Sequence, residues 1–100
     1  MQSNFSVWYH PLISQDFCEA FNWYEAKSFH LAQRFSREVF AKFDAIEEQP
    51  NFYGHAFSEE NYRFARLRKF PYLVIFRLKD GYLDILGLFH TASNPQKWRR

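Results

Sequence analysis

Two apolar runs flank the dipeptide Asp80-Gly81 in this chain. A two-residue loop between strands needs φ > 0 at both central positions, and Asp-Gly accepts that at little steric cost. A tight β-hairpin is therefore predicted, with strands at 72–78 and 82–90. The loop length also sets the register: Lys79 faces Tyr82, Leu78 faces Leu83, and Arg77 faces Asp84. A slip of one residue would set Asp84 opposite Phe76 and carry every side chain to the wrong face. With an unbroken pleat, one face collects Tyr72, Val74, Phe76, Leu78, Leu83, Ile85, Gly87 and Phe89, with no charge among them. The other holds Leu73, Ile75, Leu86 and Leu88, with an Arg77–Asp84 ion pair towards the turn.

The rest of the chain reads around this hairpin. Residues 63–68 alternate, with Arg63, Ala65 and Leu67 on one side and Phe64, Arg66 and Arg68 on the other, which predicts a third strand. Residues 5–10 predict another, with Phe5, Val7 and Tyr9 on one face, ended by Pro11. Between them lie two helical patterns. Ser14 is the candidate N-cap of the first, with Asp16 and Glu19 near the positive end of its dipole and Phe17, Ala20, Phe21 and Tyr24 at helical spacing. Ser28 is the candidate cap of the second, whose stripe runs Leu31, Ala32, Phe35, Val39, Phe43, Ile46 and stops before Pro50. Residues 51–60 read as a loop. The expected fold is α+β over a single domain, residues 1–100: an N-terminal strand, an αα-hairpin, then a three-stranded antiparallel meander, with the helices packed on one face of a twisted sheet.

Composition supports a packed core in a short chain, because aromatics make up 22% and each buries roughly 150–250 Å². The single cysteine excludes an internal disulfide, and Cys18 reads as a small buried hydrophobe. No secretory pattern is present, and the longest apolar run, 70–76, falls far short of the ~20 residues of a membrane helix. A cytoplasmic protein with no membrane association is expected. His10, His30, His55 and His90 are scattered, and no glycine-rich phosphate loop occurs, so neither metal nor cofactor is expected. The net charge of +2 hides a split: residues 1–60 carry −5 and residues 61–100 carry +7. Either the halves attract each other, or the second half faces an anionic partner.

The order strand, αα-hairpin, three strands resembles the RelE/ParE toxin superfamily of bacterial toxin–antitoxin (plasmid stabilisation) modules, in its ParE-like branch. Trp23-Tyr24-Glu25 resembles the family's helix-one ending. Leu31-Ala32-Gln33-Arg34-Phe35 resembles its helix-two opening. Phe70-Pro71-Tyr72, followed by Val74 and Phe76, is the most distinctive piece. His90, Asn94-Pro95 and Trp98 resemble the closing signature. The resemblance implies a toxin neutralised by a cognate antitoxin whose C-terminal segment wraps it. In the ParE branch it implies inhibition of DNA gyrase by protein binding. In the RelE branch it implies messenger RNA cleavage on the ribosome. A decayed toxin that only binds its antitoxin is a third possibility.

Phosphodiester cleavage needs an acid, a base and cations on the phosphate. The candidates are His90 as catalyst and Arg63, Arg66, Arg68, Lys69 and Arg77 as target- or phosphate-binding groups. His90, at a strand end, reads first as a partly buried histidine bonded to backbone and only second as a catalyst. The nuclease branch carries an arginine where this chain has Pro71-Tyr72, and arginines usually follow the position of His90, where Thr91-Ala92-Ser93 stand. The resemblance therefore leans away from an enzyme and from direct sequence-specific nucleic-acid binding. Leu73, Ile75, Leu86 and Leu88 form an apolar strip that nothing in the chain is expected to cover, and an acidic amphipathic antitoxin segment is expected on it.

Overall fold

The computed structural model describes residues 5–57, 61–94 and 100. Its elements are strand β1 (Ser6–Tyr9), helices α1 (Ile13–Glu25) and α2 (Phe29–Glu48), and strands β2 (His55–Phe57), β3 (Tyr62–Arg66), β4 (Tyr72–Lys79) and β5 (Tyr82–His90). The sheet order is β1-β5-β4-β3-β2. β1 runs parallel to β5, and the other pairings are antiparallel. Both helices lie on one side of the sheet, as the α+β reading requires. The predicted loop over 51–60 is only partly a loop. Pro50–Phe52 form one 3₁₀ turn and β2 follows, adding an edge strand that three residues of pattern are too short to announce.

The hairpin forms as its turn dictates. Asp80 and Gly81 have φ of 53° and 82°, and Arg77, Leu78 and Lys79 face Asp84, Leu83 and Tyr82. Ser28 caps α2, its hydroxyl accepting from the Leu31 N–H at 3.3 Å. Ser14 does not cap α1. The helix starts one residue before it, and His10 takes the free donors instead: its Nδ1 accepts the Leu12 N–H at 3.1 Å and its carbonyl accepts the Ile13 N–H at 3.0 Å. Cys18 is exposed on α1, against the expectation of burial.

The core between helices and sheet uses the predicted stripe of α2. Ala32, Phe35, Val39, Phe43 and Ile46 meet Val74, Phe76, Leu78, Leu83 and Ile85. Tyr9 links β1 to this layer, donating from its hydroxyl to Glu47 and packing edge-on against Phe43.

The unbroken pleat fails at one point. Phe76 pairs with Ile85 but Ile75 pairs with Gly87, so Leu86 is an extra residue in β5. Such a bulge changes the alternation of everything beyond it. Leu88 therefore turns to the helix side and joins the main core, and Phe89 takes the place expected for Leu88 on the far face. A glycine in a strand interior often marks such a bend, and Gly87 adjoins this one. A Cβ at Gly87 would lie 2.4 Å from the Phe89 ring.

The far face is not an open strip. Leu73, Ile75, Leu86 and Phe89 are buried in a second small core with Tyr62, and Phe64 packs against it. The Arg100 guanidinium sits 4.7 Å from the centre of the Phe89 ring and donates to the Leu86 carbonyl at 3.1 Å. The expectation of an uncovered surface at Leu73, Ile75, Leu86 and Leu88 is thus corrected twice: Leu88 faces the helices, and the other three are sealed.

Candidate functional site

A cleft of about 550 Å³ lies between α1 and the adjoining ends of β4 and β5. Tyr24 and Tyr72 line it, backed by the buried rings of Phe35 and Phe70, and these pieces lie far apart in sequence. The Tyr24 and Phe35 rings are 5.0 Å apart, Tyr24 and Phe70 5.0 Å, Phe35 and Phe70 5.2 Å, and Phe35 and Tyr72 5.3 Å. The last three of these pairs meet edge-to-face, an arrangement that adds about 0.5–1.5 kcal/mol each beyond the area buried. Three of the scattered sequence signatures therefore have one structural meaning: each supplies a ring to a single cluster. Pro71 and the half-exposed Trp23 form the rim, and the Lys27 ammonium lies 4.2 Å from the centre of the Trp23 ring.

Polar groups converge from α1. Asp16 accepts the Leu88 N–H at 3.1 Å and holds both guanidinium nitrogens of Arg100, at 2.7 and 3.1 Å. It thus joins the helix to the strand just past the bulge. Glu19 lines the cleft and is bonded at 3.2 Å by the Gln15 amide. Burial, then the Glu19 charge, raises the Tyr72 phenol above its ordinary range, and burial, then Tyr72, does the same for Tyr24. Both hydroxyls stay protonated at neutral pH and can donate into the cleft.

His90 stands at the cleft mouth, exposed, edge-on to Tyr72 at 5.1 Å. Its Nδ1 accepts the Ala92 N–H at 3.0 Å, which leaves the ring proton on Nε2. No lysine or arginine is among the described lining residues. The five predicted cations lie elsewhere and do not converge. Arg63 donates to the Tyr53 carbonyl at 2.8 Å. Arg77 pairs with Asp84 at 3.6 Å and faces the Tyr62 ring at 5.6 Å. Arg66 is exposed on β3, while Arg68 and Lys69 follow that strand and turn towards α2. Arg66 and Arg68 therefore do not share a surface, because the strand has ended between them. Pro95 and Trp98 lie outside the described residues.

A family model described as "ParE toxin of type II toxin-antitoxin system, parDE" matches residues 7–95. The chain belongs to the ParE toxin family. Two curated relatives named Toxin ParE2, from the CDC 1551/Oshkosh and H37Rv strains of Mycobacterium tuberculosis, are each 32% identical over 87 residues, spanning 86% of this chain and 81% of the relative. A solved structure described as the chromosomal ParDE TA system from P. aeruginosa aligns with TM-score 0.76 over 89% of this chain and 98% of its own, at 15% identity. That likeness extends the ParE assignment to the fold. Membership of the ParE family implies an antitoxin partner.

Within this ParE-family chain, the sequence reading singled out Trp23, Tyr24, Pro71 and Tyr72 as signature residues and His90 as a candidate catalyst, but read no cleft from them and did not name Asp16, Glu19 or Phe89 as site residues. A signal for Asp16 exists. It lies four residues before Ala20 and eight before Tyr24, so a carboxylate falls on the apolar stripe of α1. A charge in that position is half-buried and needs partners.

Proposed function

We propose that this chain is the toxin of a type II toxin–antitoxin module, a cytoplasmic plasmid-stabilisation type of protein formed by one domain over residues 1–100. It acts by protein binding, with DNA gyrase as the target, and its antitoxin docks in the aromatic cleft. The observation that carries this reading is the cleft's chemistry. Its aromatic wall and exposed Trp23 rim suit an inserted apolar side chain, and Tyr24, Tyr72 and His90 Nε2 offer donors to a peptide backbone. Phosphodiester cleavage would need cations beside His90, and the described lining supplies none. The antitoxin site thus moves from the sealed strip to the cleft. Arg66, Arg68 and Lys69, the exposed members of the predicted cation set, remain free to meet an acidic partner.

Inducing this chain alone in a bacterial host tests the reading. Growth arrest with intact transcripts, and inhibition of purified gyrase supercoiling, are expected, with relief on co-expressing the antitoxin. Transcript cleavage that disappears in His90→Ala would instead give a ribosome-dependent nuclease. A chain that binds the antitoxin but arrests nothing would be a decayed toxin.

A further inference from the structure

A second hollow, of about 320 Å³, lies between α2 and the β3–β4 connection. Arg34 and Arg37 border it from the helix, one turn apart, and Arg68 and Lys69 border it from the connection. All four are exposed, and among the described residues none makes an ion pair. The one carboxylate at the hollow, Glu38, is committed to backbone. It accepts the N–H groups of Arg68 and Lys69 and so fixes the connection that carries two of the cations. Phe70, the ring shared with the aromatic cluster, forms the apolar lining.

Four like charges on one small rim repel one another, and the single Glu38 carboxylate offsets only one of them, so an excess of positive charge remains. Two come from the acidic half of the sequence and two from the basic half, so folding itself gathers them. A bound anion removes the repulsion, which makes the hollow a receptor for negative charge. Its extent selects the kind of anion. Along α2 the cations give way to Asp44, Glu47 and Glu48, and Lys42 is turned to the Tyr53 ring at 5.8 Å. A nucleic-acid strand carries its charges at regular intervals and would run onto those carboxylates. A short acidic peptide ends its charge where the cations end, and its carboxylates match the guanidinium forks.

We propose that this hollow docks a short acidic segment of a protein partner. Its identity as a site for acidic peptide stands apart from the gyrase and cleft readings. Only the antitoxin as its natural source rests on them.

Fluorescence anisotropy with a fluorescein-labelled six-glutamate peptide, at about 50 mM salt, tests it without any antitoxin. Saturable binding is expected, weakened about tenfold or more by Arg34→Glu combined with Arg68→Glu, and unchanged by Arg66→Ala on the opposite face. Raising salt towards 0.5 M should weaken binding steeply, since these charges are exposed. The Arg34→Glu, Arg68→Glu variant should melt no lower than the parent at low salt, which shows that lost binding is not lost fold. The proposal is overturned if the peptide does not bind, if Arg66→Ala weakens it as much as the paired reversal, or if an oligouridylate with six phosphates binds more tightly than the peptide.

Discussion

Phe76 is fully buried between the helices and the sheet and is among the largest side chains there. Phe76→Ala should cost about 3–5 kcal/mol in chemical denaturation, the usual range for a truncated core phenylalanine. Gly87 makes the opposite demand, for emptiness. Gly87→Ala drives a methyl group into the Phe89 ring and against the Arg100 guanidinium, and a loss of about 1–3 kcal/mol is expected. Combining it with Phe89→Ala should give less than the sum of the two single losses, because the clash partner is gone. Tyr9 adds a pH dependence. Burial, then the bond to Glu47 and the charges of Glu47 and Asp44, hold its phenol well above the ordinary 10.0. The unfolded chain gives up that proton first, so the native state binds more protons and stability falls as pH rises past about 10. Tyr24, Tyr53 and Tyr72, raised by burial, act in the same direction. Urea midpoints measured from pH 8 to 11 should decline, and the decline should be shallower in Tyr9→Phe.

Among the strands and helices, the elements legible in the sequence are those whose cause is local. The Asp80-Gly81 turn fixed its own register, the Ser28 hydroxyl started α2, and the 3.6-residue stripe of that helix named its buried face. What the pattern concealed depends on partners distant in the chain. β2 exists because β3 is there to pair with it. The bulge at Leu86 exchanges the faces of Leu88 and Phe89, and only the neighbours of β5 show which alternation is the true one. The seal over the far face comes in part from Arg100, whose place against Asp16 and Leu86 no periodicity encodes. One consequence is practical. Leu86→Asp now reports on folding, since the carboxylate would enter the second core. Asp16→Ala should also be destabilising, by about 1–3 kcal/mol, because it leaves the Leu88 N–H without its acceptor and the Arg100 guanidinium with the Leu86 carbonyl but no carboxylate. Thermal melting with Asp16→Asn alongside separates charge from shape.

For the molecule as a whole, the strings that supply the site's rings stood out in the sequence, though not as a site, and the placing of its charges did not. Tyr24, Phe35, Phe70 and Tyr72 belong to short distinctive strings, and their convergence follows from the fold. The +7 excess of residues 61–100 gave no such guidance. Among the described residues one ion pair, Arg100–Asp16, joins the two halves, while Arg77 spends its charge on Asp84 nearby, and Arg34 and Arg37 of the acidic half join Arg68 and Lys69. The sheet order has a further effect, on the order of events during synthesis. β1 precedes the other strands, yet among the described residues its one partner in the sheet is β5, more than seventy residues later. At about 5–20 residues per second, β1 waits several seconds for its neighbour. The helices can form in that interval, but the strand that joins β1 to β4 cannot. A ribosome that stalls before Tyr82 leaves a chain whose helix stripe lacks Leu83, Ile85 and Leu88 and whose sheet cannot join β1 to β4, so an interrupted translation yields a substrate for proteolysis and not a smaller active product.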